Sequence, residues 1–270
     1  MDRKSVWLVA WALAISLGVL SWIAPQTWQT LSRQPQKSLR LKDARHVPLP
    51  DFTAIASTAD RKSAFFEFVK RLVIAENAAI RAKRATVKEG LLSLEAGEPL
   101  SEALAHKIQD WLDAYQVDDP VSEAAALKRL LKRMDVIPPS LAMAQAANES
   151  AWGTSRFARE GNNLFGQWCF RRNCGIAPAQ RAEGATHEVR VFKKPYHSVV
   201  AYVHNLNTHR RYARLRNLRL AVRESGQPLN GLHLVEGLLG YSHEGPKYVE
   251  WIRQIITTND LTVADRQLGD

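Results

Sequence analysis

The stretch Leu141–Trp152 places the strongest constraint on the fold. It is helical in composition and apolar all round, with Ala142, Ala144, Ala146 and Ala147 on every side. A helix without a polar face has to be surrounded by other elements. Small side chains let those neighbours approach closely, so the chain must build a helical bundle around this segment. Glu149 then falls in the last turn of a buried helix, just before Gly153, whose freedom at positive φ suits a helix stop.

The surrounding sequence supplies the bundle. A helical pattern begins at Ser57, with Asp60 completing a capping pair, and carries Phe65, Phe66, Val69, Leu72, Val73 and Ile80 at mostly three- and four-residue spacing. A second helix is predicted over 101–115, with Ser101 as cap and Leu104, Ile108, Leu112 and Tyr115 on one face. A third runs over 121–134, with Leu127, Leu130, Leu131 and Met134 turned inward. Ile137-Pro138-Pro139-Ser140 then breaks the chain and caps the central helix. Residues 161–192 are rich in Gly and Asn and end in the alternating Glu188–Phe192, which reads as a small β region of hairpin type. Helices return from Ser198 to Ile256. The predicted class is α+β, mostly α, with a short β lobe.

Before the bundle, Val6–Ala24 is one uncharged apolar run of 24 − 6 + 1 = 19 residues. As a helix it spans roughly 30 Å of hydrocarbon, and Trp7, Trp22 and Trp28 suit the interfaces. The first 28 residues therefore read as a membrane anchor or a cleaved signal peptide; the anchor is favoured because Trp22 stands where cleavage wants a small residue. Residues 29–56, with Pro35, Pro48 and Pro50, read as a tether, residues 57–135 as a helical region packing on the C-terminal domain, and 263–270 as a tail. The basic residues after the run argue for a cytoplasmic C-terminal part, whereas the chemistry of Glu149 requires export.

Lys and Arg number 37 against 27 Asp and Glu, a net charge of 37 − 27 = +10, which favours an anionic partner. The run His209–Arg219 has the look of a nucleic-acid contact, but no reading-helix motif accompanies it. Two cysteines exclude a disulfide-rich scaffold and a Cys-rich zinc site, and no HExxH pattern occurs, so neither metal nor cofactor is expected.

Glu149 carries the chemistry. Burial and the negative end of its helix both raise a carboxyl pKa, and an acid kept protonated near neutral pH can protonate a glycosidic oxygen. Glu149-Ser150-Ala151-Trp152-Gly153 followed by Asn162-Asn163-Leu164-Phe165-Gly166, with Phe192–Tyr202 and Gly240–Tyr248, resembles the glucosaminidase domain of bacterial autolysins and flagellar peptidoglycan hydrolases, glycoside hydrolase family 73. The segment around Asp60–Phe66 resembles a bacterial member that carries this domain at its C-terminal end.

The resemblance sets the domain at 136–262 and implies a lysozyme-like fold. It also implies hydrolysis of the β-1,4 bond after N-acetylglucosamine in peptidoglycan glycan strands. The family's acid falls on Glu149 and its active-site tyrosine on Tyr241, although the chain here reads Gly-Tyr-Ser-His-Glu-Gly where the family has Gly-Tyr-Ala-Thr-Asp. A second carboxylate falls on Glu183 or Glu188, with Glu183 preferred, and the substrate's N-acetyl group is another possible nucleophile. Trp152, Asn163, Phe165, Trp168, Tyr196 and Tyr248 are the expected substrate-binding residues, and Tyr241 is expected to reach toward Glu149 across a bound sugar. In an oxidising periplasm Cys169 and Cys174 would form a loop disulfide, two buried thiols being the alternative. The alternatives to a hydrolase are a lytic transglycosylase, whose usual Gly-Leu-Met-Gln segment is missing, and a non-catalytic anchored binder of an anionic polymer.

Overall fold

The computed structural model describes residues 41–118, 121–178 and 187–268. The expected membrane helix over residues 6–24 and Glu183 both lie outside them. Among the described residues no helix is long and apolar enough to cross a membrane.

Helix α1, Thr58–Glu95, opens with the Ser57 hydroxyl accepting from the Asp60 amide, as the capping pair predicts. It has 38 residues, about 57 Å at 1.5 Å per residue. Helices α2 (Glu102–Ala114) and α3 (Glu123–Arg133) come next, both within the predicted ranges. Ser101 makes no side-chain cap bond, whereas Ser122 accepts from Ala125 at the start of α3. Leu127, Leu130 and Met134 are buried, and Leu131 is only half-buried.

Helix α4, Pro139–Ser150, is the central element the sequence demands: Pro139–Ala147 are all buried. α1 runs along it, and Asn77 stitches the two together, its Nδ2 donating to the Ile137 carbonyl at 2.8 Å while its Oδ1 accepts from the Ile137 amide at 3.2 Å. Within that segment Pro138 holds the cap position, and the Ser140 hydroxyl donates to Asp265 at 2.5 Å and accepts from the Gly231 amide at 3.0 Å. Its partners are 125 and 91 residues away, beyond the reach of local pattern.

α4 ends in three successive residues at positive φ: Ala151 at 50°, Trp152 at 53° and Gly153 at 77°. Only the last is a glycine, and there a Cβ would come within 2.5 Å of the Phe52 ring. A short helix not expected from the sequence, α5 (Arg156–Gly161), comes after it. The β lobe is a three-stranded antiparallel sheet of β1 (Trp168–Cys169), β2 (Gly175–Ile176) and β3 (Glu188–Arg190) in the order β1-β3-β2. β3 thus pairs with both others, Trp168 opposite Val189 and Gly175 opposite Arg190. Helices α6 (Pro195–Thr208), α7 (Ala213–Glu224), α8 (Gly231–Leu234) and α9 (Pro246–Thr258) complete the bundle. One continuous apolar core runs from Phe52 to Ala264.

The basic run 209–219 divides: Arg210, Arg211 and Arg214 are exposed, and the other two arginines are not. Arg216 and Arg219 are buried, and both donate to backbone carbonyls of neighbouring elements, Arg219 to four of them.

Candidate active site

Glu149 sits in the last turn of α4, half-buried, as the sequence requires. Burial raises its carboxyl above the ordinary range; hydrogen bonds from Tyr248 and Asn148 pull the other way without cancelling that effect.

The direct partner of this carboxyl is Tyr248 on α9, whose hydroxyl donates to Glu149 Oε1 at 2.8 Å. The Tyr248 oxygen in turn accepts from Gln145 Nε2 at 2.8 Å, and Gln145 Oε1 accepts from the Tyr202 hydroxyl at 2.7 Å. Gln145 lies one turn before Glu149 on α4, so the helix itself sets the relay's spacing. Every donor in this chain, Tyr202 to Gln145 to Tyr248 to Glu149, points toward Oε1. The other oxygen, Oε2, lies beside Gly166, where a Cβ would stand 3.5 Å from it. Gly166 has φ 63°, so a glycine lets the loop turn back over the acid. Oε1 thus takes the donors, and Oε2 is the oxygen that faces the Gly166 turn.

This corrects one expectation. Tyr248 is not a sugar-contacting surface: it is 2% exposed and holds the acid from behind. Tyr241 lies beside this pair: its hydroxyl donates to the Phe165 carbonyl at 3.3 Å, and its ring stacks on Tyr248 with centroids 5.3 Å apart. Tyr241 is thus joined to the acid through Tyr248. Its own hydroxyl lies well above its ordinary pKa because of burial and the neighbouring Tyr248 and Glu149, so it is a neutral donor.

The other predicted binding residues divide. Asn163 is buried and committed to the loop: its Nδ2 donates to the Gln167 and Arg190 carbonyls, and its Oδ1 accepts from the Phe165 and Gln167 amides. It shapes the turn that carries Gly166 and has no capacity left for a ligand. Phe165 is buried with its ring stacked on Tyr202 at 3.9 Å, hence core rather than sugar platform. Tyr196 joins α6 to α1, its hydroxyl donating to Glu76 at 2.6 Å and its ring lying under Arg45. Trp152 is half-buried beside the end of α4, with the Lys62 ammonium 5.0 Å from its ring centre. Trp168 alone of the six is widely exposed, at 54%, and stacks on His187 at 4.1 Å in the β lobe.

Cys169 and Cys174 form the expected disulfide, with Cα atoms 6.2 Å apart. Glu188 closes the same hairpin by accepting from the Gly175 amide at 2.8 Å and the Asn173 amide at 3.3 Å, which leaves it little freedom for catalysis. Sequence reading missed Gln145 and Tyr202. The available signal for Gln145 was a lone amide, one turn before an acid, in a helix otherwise made of Ala, Leu and Met.

A family model described as "Glucosaminidase: Mannosyl-glycoprotein endo-beta-N-acetylglucosaminidase" matches residues 124–261, from α3 to just past the end of α9. The chain belongs to the glucosaminidase family. Glu149, its relay and the β lobe all fall inside the matched region of this glycosidase-type domain. The chain is also 33% identical over 237 residues to the protein named "Protein bax" of Escherichia coli strain K12, covering 87% of this chain and 80% of that one. No solved structure matches it.

Proposed function

We propose that the protein is an endo-β-N-acetylglucosaminidase that cleaves the β-1,4 bond after N-acetylglucosamine in peptidoglycan, with Glu149 as general acid. One observation supports this above the rest: a carboxyl whose pKa burial has raised, fixed through one oxygen by Tyr248, with the other oxygen beside the glycine-turned loop. Family membership supports the glycosidase class.

In this reading the Oε2 proton passes to the glycosidic oxygen. The C1–O bond breaks with its electron pair going to that oxygen, and an oxocarbenium-like centre develops at C1. Water adds there and loses a proton, leaving a reducing N-acetylglucosamine end. We assign the opposing carboxylate to Glu183, since Glu188 is occupied at the hairpin, with the substrate's N-acetyl group as the alternative nucleophile. Trp168 is the sugar-stacking residue and Tyr241 the neutral donor nearest the relay. The catalytic unit is lysozyme-like and spans 136–262, with residues 57–135 packed on it. The enzyme works in the periplasm, held at the inner membrane by residues 6–24; the Cys169–Cys174 disulfide is in keeping with an oxidising compartment.

The test is digestion of purified peptidoglycan by the full chain, borohydride reduction of new ends and mass spectrometry. Reduced N-acetylglucosamine ends are expected. Reduced N-acetylmuramic acid ends, or anhydro ends of the transglycosylase type, would refute the reading.

A further inference from the structure

A pocket of about 400 Å³ lies between the start of α1 and the end of α4, with Arg61 and Lys62 on one side and Ala151, Trp152 and Thr154 on the other. Ala151 and Trp152 follow Glu149 by two and three residues. Three residues span at most about 11 Å, so this wall of the pocket stands close to the acid. The family match begins at residue 124, so Arg61 and Lys62 come from outside it.

The two cations differ in their commitments. Arg61 donates to the Ile55 carbonyl and to the Thr58 hydroxyl, both at 3.3 Å. Lys62 is half-buried, and its ammonium stands 5.0 Å from the centre of the Trp152 ring. It has no carboxylate partner among the described residues. The acidic groups nearest to it in sequence are not placed to supply one. Glu67 is paired with Lys70 and Arg71. Asp60 is two positions away, a spacing that does not face across a helix. Asp51 accepts from the Thr53 amide and hydroxyl. No acidic side chain lines the pocket, so its two positive charges are met by neutral groups only.

The facing wall is held in a disfavoured backbone. Ala151 and Trp152 have φ of 50° and 53°, a region that residues with a side chain rarely adopt and a bulky aromatic least of all. Such residues gather where the position of a side chain matters to function. The buried indole N–H has no acceptor among the described residues, so no hydrogen bond of its own explains where the ring is put. What the turn achieves is to set Trp152 under the Lys62 ammonium, three residues beyond the acid.

We infer that Lys62 binds a carboxylate of the substrate in this pocket, making α1 part of the substrate site. The inference rests on the peptidoglycan reading of the active site. That polymer offers carboxylates from two sources, the peptides on its strands and, where a peptide is missing, the muramic acid itself.

The test is isothermal titration of the full chain carrying Glu149→Gln, so that no bond is cut, with and without Lys62→Gln. The ligands are a two-repeat peptidoglycan strand with its peptides, the same strand without them, and chitotetraose, which has four rings and no carboxylate. Lys62→Gln should weaken binding of a carboxylate-bearing strand about three- to fivefold and leave chitotetraose unchanged. A loss confined to the peptide-bearing strand assigns the contact to the peptide, and one confined to the bare strand assigns it to muramic acid. Lys62→Arg should retain the binding, and the sensitive strand should bind more weakly as salt rises. Lys107→Gln removes a comparable ammonium, 5.2 Å from the Trp111 ring on α2, and should change nothing. No loss on either strand, or an equal loss on chitotetraose, would overturn the proposal and leave Lys62 as packing for Trp152. Digestion of peptidoglycan by the wild-type chain judges the active-site reading separately.

Discussion

Replacing Tyr248 by Phe removes one oxygen and leaves the ring that stacks on Tyr241 in place. The lost bond is the Tyr248 hydroxyl to Glu149 Oε1, 2.8 Å long and at a side chain only 2% exposed. A hydrogen bond to a charged group is worth about 1.5–3 kcal/mol. It favours the ionised carboxylate, so its loss raises the Glu149 pKa beyond the increase burial already causes. The general acid has to be protonated, so the alkaline limb of the kcat profile should move upward. At the optimum kcat should fall, because Oε1 is no longer held. The assay is kcat against pH on purified glycan strands, for wild type and Tyr248→Phe. An alkaline limb that stays in place, or moves down, would refute the assignment of Tyr248 as the residue that positions and tunes Glu149.

The same geometry sets four further outcomes. Tyr241→Phe should lower kcat with little change in KM if its hydroxyl leaves the Phe165 carbonyl for the transition state; a kcat within about twofold of wild type would leave packing as its only task, since about 1.4 kcal/mol is tenfold. Glu149 has its folded pKa raised, so it contributes stability that is full below the unfolded value and lost as pH rises through the folded one; Glu149→Gln should unfold at a temperature that declines less over that window, and an identical pH dependence would contradict the burial argument. Gly153→Ala forces a Cβ against Phe52 at a φ of 77° and should cost about 2–5 kcal/mol in urea unfolding, from left-handed strain plus overpacking; a loss under about 1 kcal/mol would show that Phe52 yields easily. Reduction of Cys169–Cys174, which closes a short loop, should cost about 2 kcal/mol if β-lobe unfolding is coupled to the bundle, and an unchanged melting temperature would show the lobe opening independently.

The sequence was informative where periodicity and composition decide the outcome. Alanines on every side of one helix force it to the centre, and that alone places Glu149 at a buried helix end. Ser57 caps α1 through a bond spanning three residues, so local pattern suffices. Ser140, at the start of α4, bonds Asp265 across 125 residues of sequence, which no local pattern announces. The identity of the tyrosine on Glu149 was illegible for a related reason. Tyr241 and Tyr248 lie near each other in the chain and stack in space, and only the packing of α9 on α4 decides which hydroxyl reaches the acid. The basic run 209–219 could not be sorted from sequence, because charge carries no sign of burial: Arg210, Arg211 and Arg214 are exposed, whereas Arg219 is 1% exposed and satisfied by carbonyls that end α3.

The central claim is that Glu149 donates the proton that breaks the glycosidic bond. Its most direct test is the single-turnover rate of Glu149→Gln against wild type on the same peptidoglycan. The amide keeps the acceptor for Tyr248 and preserves the shape, but has no acidic proton to give. The expected rate is lower by at least about 10²–10⁴-fold with substrate binding retained. A purified, folded Glu149→Gln protein that cleaves at the wild-type rate would contradict it.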